Sequence, residues 1–478
     1  MRYTSTRGGI EPVEFKLAVM MGLARDGGLL LPESFPDVRD RLQSWSRLGY
    51  ADLAFEIMRL FTGDIPDGDL RRIVDRSYAA FDPVPPALDE PWTGAEPVPV
   101  RQCGPVHVLE LYHGPTLAFK DVALQFLGNL FEYVLSGSGK ALNVVVATSG
   151  DTGSAAIHGL RGKKGIRVFV LHPAGRVSPV QALQMTSVID DNVFNIAIDG
   201  TFDDAQRMVK ALFSDLPFKD AHSLGAVNSI NWARILAQVV YYFYAAFRTI
   251  ERTKASEVAF SVPTGNFGDV FAGYVAAQMG LPVRNLFVAT NENDILDRFF
   301  RTGVYARGEV VPTLSPSMDI QVASNFERWL YLHFGCDCGR LRDAMADFAA
   351  TGRIELKAGE GGSLDPWLRS GSADTASTLA TIRRFHADFG RVLDPHTAVG
   401  VAVATEALAS GAIDGSTPVV CLATAHPAKF PDAIARATGD RSLAVCARIE
   451  ALKGLPTRSY PLAASERELA DFVDLHTR

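Results

Sequence analysis

One lysine stands where two sequence patterns meet. The run Leu111-Tyr112-His113-Gly114-Pro115-Thr116-Leu117-Ala118-Phe119-Lys120-Asp121 carries a strand pattern, Val106 to Tyr112, into a Gly-Pro break. A helix follows, with Ala118/Phe119, Val122/Ala123, Phe126/Leu127, Leu130/Phe131 and Val134/Leu135 recurring at helical spacing. Lys120 falls between two of these apolar pairs, where its amine can reach a pocket beside the strand end. Desolvation there disfavours the ammonium and favours the neutral amine, which attacks carbonyl carbons and forms Schiff bases. A lysine on a helix edge otherwise lays its stem over apolar surface and keeps its charge in water. The surrounding chain decides between these readings.

Three further loops each follow an apolar run, the position at which α/β folds hold ligands. Ala147-Thr148-Ser149-Gly150-Asp151-Thr152-Gly153 offers hydroxyls, a carboxylate and glycines at a helix start. Such residues present donors to an anion, and they equally cap a helix with no ligand at all. Pro263-Thr264-Gly265-Asn266-Phe267-Gly268-Asp269 places two glycines just before a helix, so that backbone N–H groups and the helix dipole can converge on a phosphate. It is neither a Walker loop nor the dinucleotide fingerprint. Ala423-Thr424-Ala425-His426-Pro427-Ala428-Lys429 puts a hydroxyl at a strand end, suited to a ring nitrogen of a bound heteroaromatic group. His426 reads as structural, because the proline after it locks the turn.

The elements that must position these residues form an α/β pattern with a mostly helical N-terminal module. Residues 1–93 carry helices from Val13 to Ala24, Ala51 to Phe61 and Asp69 to Phe81, then a proline-rich linker from Pro83 to Pro91. Solid apolar runs follow at 142–147, 166–171, 193–198, 258–262, 286–289 and 418–423, as in strands buried on both faces of a parallel sheet. A long helix from Ile230 to Arg252 divides them. The expected division is an α/β domain over 94–250 carrying Lys120 and the Ser149–Gly153 loop, a second over 251–440, and a C-terminal extension over 441–478. Gly359-Glu360-Gly361-Gly362-Ser363 is a flexible loop rather than a phosphate cradle, since no strand precedes it.

Composition narrows the function. At 47% hydrophobic and 21% charged residues over 478 positions, the chain reads as a globular enzyme. A net charge of −7 leaves no footprint for nucleic acid. Five scattered cysteines suit a reducing compartment, and Cys336 and Cys338 lack the second pair that a metal site needs. With no signal pattern and no membrane-length apolar run, a cytoplasmic protein is expected.

The order and wording of His113-Gly114-Pro115-Thr116-Leu117-Ala118-Phe119-Lys120-Asp121, Ser149-Gly150-Asp151-Thr152-Gly153, Gly265-Asn266-Phe267-Gly268 and Asp394-Pro395-His396-Thr397-Ala398 closely resemble the threonine synthase family. Tyr3-Thr4-Ser5-Thr6-Arg7-Gly8 and Asp26-Gly27-Gly28-Leu29-Leu30 resemble the N-terminal region of its longer, microbial and fungal form. The resemblance implies a fold-type-II pyridoxal 5'-phosphate enzyme that turns O-phospho-L-homoserine and water into L-threonine and phosphate. It implies that Lys120 holds the cofactor covalently and moves protons in catalysis. Gly265, Asn266, Phe267, Gly268 and Asp269 would surround the cofactor phosphate, and Thr424 would face the pyridine nitrogen. Ser149, Asp151 and Thr152 would lie at the substrate's carboxylate or phosphate. Asn228, Asn231 and Arg234 would lie near that phosphate, with Arg234 as the cationic contact. Many relatives in this fold carry Asn where this chain has Asp151. A lyase of the same fold releasing a 2-oxo acid, and a binding protein on a retired enzyme fold, are the alternatives. A monomer or weak homo-oligomer is expected.

Overall fold

The structure, a computed structural model, describes residues 1–84, 95–137, 139–148, 150–357 and 363–477. The Val-, Ile- and Leu-rich runs form strands of two sheets. One sheet has the order Tyr460–Ala463, Val193–Asp199, Ile166–Pro173, Leu142–Ala147, Leu224–Gly225, and every pair is parallel. The other runs Leu368–Ser372, Val283–Thr290, Val258–Pro263, Val419–Ala423, Val106–Glu110, Val100–Cys103, and only its last pair is antiparallel. Of its four inner strands, Val258–Pro263, Val419–Ala423 and Val106–Glu110 are buried at every position, which explains the apolar runs of the first two.

The helix Trp232–Thr253 is buried from Trp232 through Thr249. A helix apolar on all sides is core, and this one packs against Lys120–Ser136, Gly268–Gln278 and Tyr50–Met58. The helices Lys120–Ser136 and Asp151–Leu160, which both begin at the site described below, cross through paired glycines. A Cβ on Gly128 would sit 2.0 Å from the Gly159 carbonyl oxygen, and one on Gly159 would sit 2.5 Å from that of Leu124. Only glycine permits backbones this close, so these two residues fix the distance between the two helix starts.

The N-terminal module holds the helices Phe15–Met21, Tyr50–Met58 and Asp67–Tyr78, close to the three expected from sequence. It also contains an antiparallel pair, Tyr3–Ser5 with Leu30–Pro32. The buried Arg328 guanidinium donates to the carbonyls of Leu30 at 2.7 Å and Ile230 at 2.5 Å, tying the module to the loop before the central helix. The proline-rich linker lies mostly outside the described residues, as does the Gly359–Gly362 segment.

A division at residue 250 does not follow the sheets. The strand Val106–Glu110, which leads to Lys120, pairs with Val419–Ala423 in the six-stranded sheet. Apolar periodicity marks a buried strand without naming its neighbour. Residues 441–478 are likewise no appendage: Tyr460–Ala463 pairs with Val193–Asp199, and Glu466–Thr477 packs on Phe202–Ser214. Among the described residues no helix is long and apolar enough to cross a membrane.

Candidate active site

The loop before Lys120 is stitched to the end of the neighbouring strand. Leu111 N–H donates to the Ala423 carbonyl at 3.0 Å, Phe119 N–H to that of Thr424 at 2.8 Å, and His426 N–H to that of Leu117 at 3.0 Å. Leu117 adopts a left-handed φ of 61° inside this turn. Asp121 closes it by accepting from the Thr116 N–H and hydroxyl, each at 2.7 Å. The first residue of the helix is therefore held on three sides. Lys120 is 9% exposed, and its Nζ donates to Ser317 Oγ at 3.3 Å and lies 3.9 Å from Asp151 Oδ2. Burial lowers its pKa to about 8; Arg234 and Lys429 add to this, and Asp151 opposes it. Roughly a tenth of such amines are neutral at pH 7, against a negligible share for an ordinary lysine.

The glycine loop after Val258–Pro263 lies across the same cavity, whose volume is about 900 Å³. A Cβ on Gly265 would sit 2.6 Å from the Ser317 carbonyl oxygen, and one on Gly268 would sit 3.1 Å from Asn325 Nδ2. Phe267 takes a left-handed φ of 62°, a strained choice for a non-glycine residue, and its buried ring packs beside Phe300 and Phe326. The turn aims the N-terminus of Gly268–Gln278, with its unpaired N–H groups, at the cavity. The Asp269 side chain takes no part in that cradle. Its carboxyl accepts from the hydroxyls of Tyr241 at 2.5 Å and Tyr242 at 2.9 Å, and burial raises its pKa to about 7 despite those bonds. What Asp269 offers an anion is its backbone N–H.

The third loop adds Thr424, which lines the cavity and whose N–H donates to Thr397 Oγ1 at 3.2 Å. Beside it His396 Nδ1 donates to Asp394 Oδ1 at 2.8 Å, leaving Nε2 to accept the Ser317 N–H at 3.2 Å. This explains the Asp394-Pro395-His396-Thr397 motif: it supports the serine that receives the Lys120 amine. His426 caps the following turn, with Nδ1 accepting the Ala428 N–H at 3.1 Å, in line with its structural reading.

Of the residues proposed for the substrate, Thr152, Asn228 and Arg234 line the cavity, and Ser149 lies outside the described residues. Asp151 lines it too, but its carboxylate is committed. Lys429 Nζ lies 2.8 Å from Oδ1, and Gln181 Nε2 donates to the same oxygen at 2.7 Å. Burial would raise this carboxyl, yet Lys429 and Lys120 outweigh it and hold it well below the usual range. A carboxylate so placed faces lysines and repels a substrate anion. Asn231 is a helix cap instead: its Oδ1 accepts the Ala233 N–H at 3.0 Å and its Nδ2 donates to the Val19 carbonyl at 2.9 Å. Both groups of its amide are thereby engaged, and it is absent from the cavity lining.

Arg234 is buried, its Nη1 donates to the Val227 carbonyl at 2.9 Å, and its Nε has no partner among the described residues. Burial lowers its pKa to about 10, and no carboxylate pairs with it among the described residues. A buried cation lacking a counter-ion is costly, so the site favours an anion beside Arg234. Sequence reasoning assigned no role to Ser317, Gln181 or Lys429. Lys429 stood in a loop already singled out, but nothing in its spacing tied it to Asp151, far away in the chain.

Residues 97–359 match the family described as "Pyridoxal-phosphate dependent enzyme", residues 2–78 "Threonine synthase N terminus" and residues 397–473 "Threonine synthase, C-terminal". The fold and site thus define a pyridoxal-phosphate-dependent enzyme. The buried amine and the glycine loop that turns the N-terminus of Gly268–Gln278 to the cavity both fit that cofactor. The chain is 47% identical to the threonine synthase of Saccharomyces cerevisiae, over 90% of this chain and 88% of the yeast protein. It is 46% identical to that of Methylobacillus glycogenes over the whole of both chains. The structure of pyridoxal-phosphate-bound threonine synthase from Brucella melitensis superposes with a TM-score of 0.92 at 42% identity, covering 100% of each chain. The chain belongs to the threonine synthase family.

Proposed function

We propose that the chain converts O-phospho-L-homoserine and water to L-threonine and inorganic phosphate, with Lys120 as the residue that carries the cofactor. The observation that bears most weight is one cavity holding both a desolvated amine and a buried guanidinium with no counter-anion among the described residues. The backbone of Gly265 to Asp269 would hold the cofactor phosphate, and the Thr424 hydroxyl would meet the ring nitrogen. Thr152, Asn228 and Arg234 would receive the substrate's anionic groups.

Pyridoxal phosphate supplies, when bound, an electron sink for removing protons near the substrate's amine-bearing carbon. The chain's own part is proton handling and orientation. The Lys120 amine would take the protons that leave Cα and Cβ, deliver one to Cγ as phosphate departs with its bonding electrons, and return one to Cα after water has added at Cβ. Ser317 and Asp151 flank that amine and hold it over one side of the cavity. Arg234 offers the departing phosphate a positive charge, and water completes the reaction at Cβ.

Incubation with O-phospho-L-homoserine tests this directly. Threonine and phosphate released in equal amounts support the proposal, while phosphate with 2-oxobutanoate would assign the lyase. We further infer a cytoplasmic enzyme, monomeric or weakly self-associating; five cysteines without a disulfide favour that location.

A further inference from the structure

Lys429, paired with the Asp151 carboxylate that flanks Lys120, has no part in the steps above. Lys429 is 0% exposed, on a turn just past the Val419–Ala423 strand. Its ammonium reaches Asp151 Oδ1 at 2.8 Å and donates to the Thr116 carbonyl at 2.8 Å. It therefore joins the loop before Lys120 to the helix start that carries Asp151. The other carboxylate oxygen, Oδ2, faces Lys120 Nζ at 3.9 Å. One carboxylate is thus shared by two lysines, and what Lys429 takes from it Lys120 does not receive.

We propose that Lys429 is a positioning residue for Lys120: by drawing on the charge of Asp151 it makes the Lys120 amine easier to deprotonate. The inference rests on Lys120 being the cofactor lysine. The groups acting on that amine are Asp151 and Asp121, which favour the ammonium, and Arg234 and Lys429, which oppose it. Ser317 accepts its hydrogen bond, the Phe119 ring lies 5.7 Å away, and His396 acts on Asp151 in turn. With Lys429 removed, Asp151 pairs with Lys120 alone and holds its proton. With both charges removed, Lys120 loses an attraction and a repulsion together.

The test uses full-length protein, stripped of pyridoxal phosphate and resupplied across a pH series. The rate of covalent attachment follows the neutral amine, and borohydride trapping with peptide mapping assigns the adduct. Lys429→Met, close in volume, is expected to move the midpoint of that profile to higher pH by about one pH unit. Asp151→Asn should move it to lower pH, and the double variant should return towards wild type. A packing role alone would not give opposite shifts or mutual rescue. An unchanged midpoint in Lys429→Met, or shifts of the same sign in both single variants, would overturn the proposal. If thermal melting shows that Lys429→Met is unfolded, Asp151→Asn decides: a lower midpoint supports the idea and an unmoved one refutes it. A wild-type adduct on another lysine would instead remove the reading on which this rests.

Discussion

At the scale of single residues, the site is a balance of buried charges. Among the described residues Arg234 has neither a carboxylate partner nor a bond for its Nε, so its contribution should appear only when an anion arrives. Arg234→Ala should retain cofactor with an unchanged spectrum and lose substrate affinity or kcat/KM by roughly ten- to a hundredfold, the worth of a charge-assisted contact. Wild-type affinity for a substrate analogue in that variant would place the phosphate elsewhere. Asp269 makes a different prediction, about stability. Its folded pKa of about 7 lies above the ordinary 3.8. Its contribution is therefore complete below pH 4 and lost as pH rises through 7. Melting temperature between pH 4 and 7 should fall more steeply in wild type than in Asp269→Asn, and parallel curves would refute the assignment. Lys120, Thr424 and Arg234 were singled out because their types suit the chemistry, and the structure brings all three to one cavity. The partners of Asp151 and Asn231 were not legible, because they come from segments remote in sequence, Lys429 and Val19 among them.

At the scale of elements, turns and close crossings place the reacting groups. The strand-loop-helix units at Val258–Pro263 and Val419–Ala423 were readable from apolar runs ended by glycine or proline. The helix Pro395–Ala409 was not, although Asp394 to Ala398 was noted for its resemblance to the family, and neither was the strand Leu368–Ser372 with its mixed composition. The Gly265 cradle gives the sharpest test. A methyl group there meets a backbone carbonyl at 2.6 Å, and backbone cannot swing aside as a side chain can. Gly265→Ala should lose pyridoxal phosphate during dialysis that leaves wild type loaded, with the fold intact by circular dichroism. Retention at the wild-type level would mean that this loop is not the cradle. Gly268 is the gentler position, because its nearest neighbour is the amide of Asn325.

At the scale of the whole molecule, the sheets interleave the chain, so that Lys120, the glycine loop and Thr424 meet although they lie far apart in sequence. Sequential order suggested two successive α/β domains, but strand pairing carries Val106–Glu110 into the later sheet and returns the C-terminus to the earlier one. No local pattern encodes such pairing. Removing residues 459–478 should therefore bare the Val193–Asp199 edge and strip the Phe194 ring of its partners Tyr460 and Phe472. The expected outcome is lower solubility and a lower melting temperature, and a truncated chain as stable as wild type would show that the extension is dispensable. The central claim is that this assembly makes Lys120 the cofactor lysine. Borohydride reduction of the loaded protein, followed by peptide mass mapping, tests it most directly. The adduct is expected on the peptide containing Lys120; an adduct on Lys429, the neighbouring buried lysine, or on any other lysine would contradict it.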